Sequence, residues 1–138
     1  MLIKLFDTSN GYGNDTFDII YASALIYYLP SLIDNINDAF SEAYKIFKPG
    51  GLLMGTLVRN DIHTISEAEK VNRTVYILKD PFYGYRKGQV YHTYSDKSQI
   101  MNDLVRAGFK YTIIYDYDVN WFGTREALFI FVTKKPDK

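Results

Sequence analysis

The sequence of 138 residues contains no cysteine and only 2 histidines. Without cysteine, the chain has no disulfide bridge, no thiol nucleophile and no cysteine-ligated metal. Two histidines alone do not make a structural metal site either. We therefore predict a protein without a metal, and the lack of cysteine fits a cytoplasmic location.

The sequence also lacks an excess of charge of either sign, because Lys+Arg and Asp+Glu both number 16. A neutral chain has no overall field that draws it to nucleic acid or to an anionic membrane, and we expect neither as a partner. The longest stretch of low charge, IIYASALIYYL, is too short to cross a bilayer. The N-terminal MLIKLFD reaches an acidic residue too soon for a secretory signal.

Apolar and aromatic residues are abundant, at 47% and 17% of the chain, and 13 residues are tyrosine. A chain of this length and composition builds one domain with a real core, so residues 1–138 are treated as a single domain. Rings in this number suit a ligand cleft, and they equally suit core and strand packing.

Apolar runs and turn residues predict the order strand, strand, helix, strand, loop, helix and hairpin. The predicted elements are strands 2–6 and 17–22, a helix ended by residues 49–51, strand 52–58, a short helix and an extended piece within 64–78, an aromatic loop 79–94, a helix capped by Ser95 and ended by Gly108, and strands 110–119 and 127–135. The inward face of the second long helix is expected to carry Ile100, Met101, Leu104 and Val105.

The unbroken apolar run of strand 17–22 is typical of a strand buried on both faces. Strand, helix and strand joined by short links indicate a right-handed parallel crossover. The fold class is therefore predicted as α/β, with a mostly parallel sheet and a C-terminal antiparallel hairpin.

Several motifs together resemble class I S-adenosylmethionine-dependent methyltransferases. FDIIYASALIYYLP, a helix and then YKIFKPGGLLMGT match the family's fourth strand, turn, helix and fifth strand, with Lys48, Pro49, Gly50 and Gly51 matching its Lys-Pro-Gly-Gly segment. YHTYSDKSQIMNDLVRAGF resembles a later helix of the family, and FIFVTKKP resembles its last strand. The resemblance covers nearly the whole chain and implies a Rossmann-like sheet.

The family's cofactor loop, Asp-x-Gly-x-Gly-x-Gly, is not found. Asp7, Gly11 and Gly13 match part of it, but a strand begins at Phe17, which leaves no room for the helix that must follow such a loop. The better alignment places residues 1–6 on the family's third strand. The resemblance then covers the C-terminal two thirds of a family member, with the N-terminal strands and helices missing.

Loss of those strands makes Phe17–Ala22 an edge, and an apolar edge is a template for pairing with another chain. Three arrangements are open. Residues 2–6 fold back beside this strand, two chains form a dimer through it, or a separate polypeptide supplies the missing half.

The resemblance implies S-adenosylmethionine as cofactor. Asp7 and Thr8 fall where the family carries an acid that contacts the adenine amine. Tyr21, Ala22 and Ser23 end a strand at the sheet edge where open α/β sheets bind ligands.

Methyl transfer needs an oriented nucleophile more than a catalytic triad, and no triad is visible. Tyr28 and His92 are candidates for a catalytic role. Candidates for binding a small-molecule acceptor are Tyr27, Arg59, His63, Phe82, Tyr83, Tyr85 and Tyr91. For each of them, packing or a solvated loop is the competing interpretation.

Two functions follow from this reading. The first is methyl transfer from S-adenosylmethionine to a small-molecule acceptor. The second is a non-catalytic module of the same fold that acts through protein contacts. Fold alone does not decide between them.

Overall fold

The computed structural model describes residues 13–23, 26–27, 36–79, 87–121 and 123–137. The predicted strand 2–6 lies outside them, and the described helices and strands follow the rest of the predicted order. They are β1 Phe17–Ala22, α1 Ile36–Ile46, β2 Phe47–Arg59, α2 His63–Ser66, β3 Glu69–Lys70, β4 Val75–Ile77, β5 Val90–Tyr94, α3 Lys97–Ala107, β6 Lys110–Trp121 and β7 Thr124–Lys134.

The described strands form one mixed sheet in the order β3-β4-β5-β2-β7-β6, with β1 also beside β2. β2 runs parallel to β1 and β5, whereas the other described pairs, β2–β7, β3–β4, β4–β5 and β6–β7, are antiparallel. The prediction of a mostly parallel sheet is therefore wrong for these residues. β3–β4 and β6–β7 are joined by short links that reverse the chain direction, whereas the longer α1 crossover returns β2 parallel to β1. That N-terminal strands and helices are missing stays a prediction.

The β1–α1–β2 crossover has the predicted topology but a different junction. α1 ends at Ile46 and β2 begins at once with Phe47, before the Pro-Gly-Gly segment expected to separate them. Phe17 pairs with Phe47, and the next pair is Ile19 with Leu52, so the register advances by two residues on β1 but by five on β2. The extra residues form a bulge in which Gly50 has φ +83°, a conformation that favours glycine.

Both long helices pack on one face of the sheet. There Leu53, Leu57 and Phe131 are fully buried, and the ring of Phe40 meets Phe131 edge-on with centroids 5.7 Å apart. Ile36, Ala39, Ala43, Ile100 and Leu104 complete the helical side of this core. The sequence predicts an apolar stripe of Ile33, Ile36, Phe40, Tyr44 and Phe47 on α1. Ile36 and Phe40 are buried as predicted and Tyr44 is half-buried, but the buried Phe47 belongs to β2, and Ile33 lies outside the described residues.

The second long helix differs from the prediction at its start and on one side. Asp96, not Ser95, is the N-cap, and its carboxylate accepts a hydrogen bond from the backbone N–H of Gln99 at 3.0 Å. Gly108 ends the helix in the left-handed conformation, as expected. Met101 and Val105, expected to face inward, are 37% and 59% exposed. Ile100 and Leu104, one turn apart, already fill the contact with the core.

β1 also departs from its apolar pattern. Ala22 is buried, but Ile19 and Tyr21 are 58% and 65% exposed, so only one face of this strand is covered. The prediction that this strand is buried on both faces is wrong, because periodicity shows which residues are apolar and not whether a second layer covers them. Among the described residues, β1 pairs with β2 alone.

A smaller core lies at the carboxyl end of β2. Its buried members are Tyr27, Val58, Ile62, Ile65, Leu78, Tyr91 and Ala127. Part of the predicted loop 79–94 contributes to it, since residues 90–94 form β5 and Tyr91 to Tyr94 are buried. Residues 80–86 of that loop lie outside the described residues.

The two longest described helices, α1 and α3, have 11 residues each. Within the described ranges, no helix has the length and apolar character needed to cross a membrane.

The close approach of β1 to β2 gives the first prediction. A Cβ added at Gly55 would lie 2.7 Å from the carbonyl oxygen of Ala22, which is backbone and has little freedom to move. We expect Gly55→Ala to lower the free energy of unfolding by about 1–3 kcal/mol, measured by urea denaturation.

Gly13→Ala is the matched control, because nothing lies within 4 Å of its added Cβ. We expect the control to stay within about 0.5 kcal/mol of the parent. Equal, small effects of both substitutions would contradict the tight packing of the two strands.

Candidate functional site

The carboxyl ends of β1 and β2 point to the same edge of the sheet but stop at different levels. Ala22, the last residue of β1, pairs with Gly55, and β2 continues to Arg59. Beyond the end of β1, β5 takes its place beside β2 through the pairs Val58–Thr93 and Arg59–Tyr94. The result is a step in the sheet at the place where ligands bind in open α/β sheets.

The described cofactor candidates lie on this step. Ala22 is 2% exposed and leaves little side-chain bulk at the strand end, and Ser23 follows it at the surface. Tyr21 is exposed on the face of the sheet away from α1 and α3, because it pairs with Met54 rather than with a residue of the helical core. Asp7 and Thr8 lie outside the described residues.

Three acceptor or catalytic candidates come together beside the step. The rings of Tyr27 and Tyr91 stack with centroids 5.1 Å apart and an interplanar angle of 16°. The backbone N–H of His92 donates to the carbonyl oxygen of Tyr27 at 2.9 Å. All three side chains are at most 5% exposed. The stacked rings of Tyr27 and Tyr91 form an aromatic wall inside the protein and not an open lid, whereas His92, the next residue of β5, points to the other side of that strand.

Arg59 lies at the end of β2 in a cluster of ion pairs. Its Nε donates to Oδ1 of Asp61 at 2.7 Å, and its Nη2 lies 3.4 Å from Oδ1 of Asp118. Arg125 reaches the same two carboxylates at 3.5 and 3.3 Å. Lys97 and Asp116 extend the cluster, with Nζ and Oδ2 2.7 Å apart.

The cluster shifts the pKa of its central pair. The hydrogen bond from Arg59, aided by the charge of the guanidinium, lowers the pKa of Asp61 despite partial desolvation. The same hydrogen bond raises the pKa of Arg59 further above its ordinary value. A guanidinium that is 17% exposed and held by carboxylates of its own chain is a structural tie between β2 and the β6–β7 hairpin.

The structure does not test the other predicted contacts with the acceptor. His63 begins α2, and nothing is described of its side chain. Tyr28, Phe82, Tyr83 and Tyr85 lie outside the described residues.

Sequence reasoning missed two polar features near this edge. Asp116 and Asp118 alternate along β6, and that spacing of two was the available signal for two carboxylates on one face. The hydroxyl of Tyr94 donates to Oδ2 of Asp103 at 2.6 Å and ties β5 to α3. Burial, and then this hydrogen bond, raises the pKa of Tyr94 above its ordinary value.

No protein-family model matches the sequence, and no curated protein sequence matches it. Solved structures do match the fold. A methyltransferase from Methanosarcina mazei that depends on S-adenosylmethionine aligns with a TM-score of 0.71 at 13% identity, over 92% of this chain and 63% of that one.

Two further structures are similar at lower scores. A Thermotoga maritima protein described as a possible histamine N-methyltransferase has a TM-score of 0.57 and 17% identity, over 89% of this chain and 58% of its own. A 1,6-didemethyltoxoflavin-N1-methyltransferase from Burkholderia thailandensis, solved with its substrate and S-adenosylhomocysteine, has a TM-score of 0.61 and 11% identity, over 91% and 46%.

This chain spans less than two thirds of the length of each of these three proteins. At such identities the likeness shows the fold. The chain has a class I S-adenosylmethionine-dependent methyltransferase-like fold, and the resemblance stated from the sequence motifs is confirmed at that level.

The ion cluster at Arg59 makes the free energy of unfolding depend on pH in the acid range. Because folding lowers the pKa of Asp61, its contribution is present above the unfolded pKa of about 4 and is lost as pH falls through the lower folded value. We expect Asp61→Asn to reduce the loss of unfolding free energy between about pH 5 and pH 3, measured by urea denaturation.

Asp18→Asn controls for the removal of one carboxylate, since Asp18 makes a single exposed ion pair with Lys48 at 3.2 Å. An Asp61→Asn variant with the full acid sensitivity of the parent would contradict the assignment.

Proposed function

We propose that this chain carries out, or forms the larger part of a protein that carries out, methyl transfer from S-adenosylmethionine to a small-molecule acceptor. The observation that carries the proposal is the fold likeness over 92% of this chain to a methyltransferase. The likeness includes the β1–α1–β2 unit, whose carboxyl edge is the place for a ligand in an open α/β sheet.

The described residues fit one side of such a cofactor. The small Ala22 and the exposed Ser23 leave space and a hydroxyl group at the end of β1, suited to the polar methionine part. Asp7, the acid proposed for the adenine amine, lies outside the described residues. When bound, S-adenosylmethionine supplies an electrophilic methyl group on a sulfonium.

The chain's own residues then have to orient the acceptor and exclude water. The stacked pair of Tyr27 and Tyr91 gives a dry aromatic wall next to the step. His92 is 3% exposed and follows Tyr91 on β5, so we assign it to the interior and not to base catalysis. Phe82, Tyr83 and Tyr85 remain proposed acceptor contacts.

A non-catalytic module of the same fold is the second candidate. The observation that favours it is that two of the candidates predicted from the sequence are already used: Arg59 pairs with carboxylates of its own chain, and His92 is buried in the interior. In this case the chain acts through protein contacts and binds no cofactor by itself.

Titration calorimetry of the 138-residue chain with S-adenosylhomocysteine separates the two. We expect dissociation constants in the range of about 1–100 μM for the methyltransferase, and no heat of binding from folded protein for the module. Folding is checked by circular dichroism on the same sample.

A pair of variants locates the binding. Ser23→Arg fills the end of β1, and we expect it to weaken binding by about tenfold or more. Ser66→Arg places the same side chain at another exposed serine, and its affinity should equal that of the parent. Equal effects of the two substitutions would place the ligand elsewhere.

A further inference from the structure

One face of the sheet is apolar and uncovered by the described helices. Residues paired across neighbouring strands point to the same side, and Tyr21, Met54, Val132 and Ile113 form one such row across β1, β2, β7 and β6. The next row contains Thr56, Ile130 and Tyr115. α1 and α3 pack on the opposite side, against residues such as Leu53 and Phe131.

Five large side chains on this side are substantially exposed, and we name them the open face: Ile19, Tyr21, Ile113, Tyr115 and Tyr117. Their exposed fractions are 58%, 65%, 53%, 61% and 48%. On the side that α1 and α3 cover, the side chains of Leu53, Leu57 and Phe131 are 0% exposed.

The area of the open face is large for a surface that meets only water. With about 200 Å² for a whole aromatic side chain, the five exposed portions sum to roughly 600 Å². That is at the upper end of the largest apolar patch on a typical monomer, about 300–600 Å². With the half-buried side chains between them, the surface approaches the ~800 Å² that each partner buries in a stable dimer.

Charges flank the open face in an order that suits a copy of itself. In the strand register, Lys110 lies opposite Lys134 at one end of the β6–β7 hairpin. Near the other end, Glu126 lies opposite Val119 in the strand register, on the same side of the sheet as the open face. A two-fold axis that reverses strand direction brings the lysine end of one copy to the glutamate end of the other.

We propose that the open face is a dimer interface, in which a second copy of this chain packs sheet against sheet about a two-fold axis. The two layers lie about 10 Å apart with strands within about 30° of antiparallel alignment, as in other packed sheets. Tyr21 on β1 and Tyr115 and Tyr117 on β6 supply aromatic rings of the kind that such interfaces favour. This proposal does not rest on cofactor binding.

The test is sedimentation equilibrium of the full chain between about 1 and 100 μM. The parent should show a monomer–dimer equilibrium. Tyr115→Lys, which places a charge on the β6 side of the open face, should raise the dimer dissociation constant at least ~tenfold. Val105→Lys is the matched control, because Val105 is 59% exposed on α3, and it should dimerise like the parent.

A charge exchange keeps the test independent of folding defects. Glu126→Lys should weaken the dimer, and addition of Lys110→Glu in the same chain should restore it, with circular dichroism confirming the fold of each variant. A folded parent that stays monomeric, and so leaves this face to another polypeptide, overturns the proposal. Association that Tyr115→Lys leaves unchanged also overturns the proposal, and it is the result expected if two chains pair through the edge of β1 instead.

Discussion

The double pairing of β2 is the constraint on which the rest of this structure depends. β2 is bonded on one side to β7, over seven consecutive pairs from Leu52 to Val58, and on the other first to β1 and then to β5. Leu53 and Leu57 are completely buried under α1 and α3. Because β1, β5 and β7 pair with β2 and both long helices pack on it, the position of β2 also sets the step at the end of β1, where we propose that a ligand binds.

The sequence predicted most of this arrangement because the relevant signals are local. Turn residues and apolar periodicity were sufficient for the order of elements, the β6–β7 hairpin and the buried stripe of α1. The order of motifs around Phe17-Asp18 and Lys48–Gly51 pointed to the methyltransferase-like fold. Three predictions failed: the direction of most described strand pairs, the coverage of Ile19 and Tyr21, and the loop that contains Tyr91 and His92. A strand's own residues do not show which strands it pairs with or whether a second layer covers it.

The candidate site shows the same division. Residue type drew attention to Tyr27, Tyr91 and His92, all of which the fold buries, but type alone does not distinguish a ring that holds a ligand from a ring that fills a core. Arg59 was predicted as a possible acceptor contact. Its carboxylate partners Asp116 and Asp118 lie far along the chain, and only tertiary structure reveals that it is already paired.

The β6–β7 hairpin has a consequence for the order of folding. Its strands close through a two-residue connection, in which the N–H of Gly123 donates to Oδ1 of Asn120 at 2.7 Å, and their pairing continues to Lys110 and Lys134. Such a hairpin forms in microseconds, whereas β1 and β2 meet only after the chain between them has become a helix. We therefore expect the β6–β7 hairpin to form early and to present β7 as the template on which β2 and then β1 assemble.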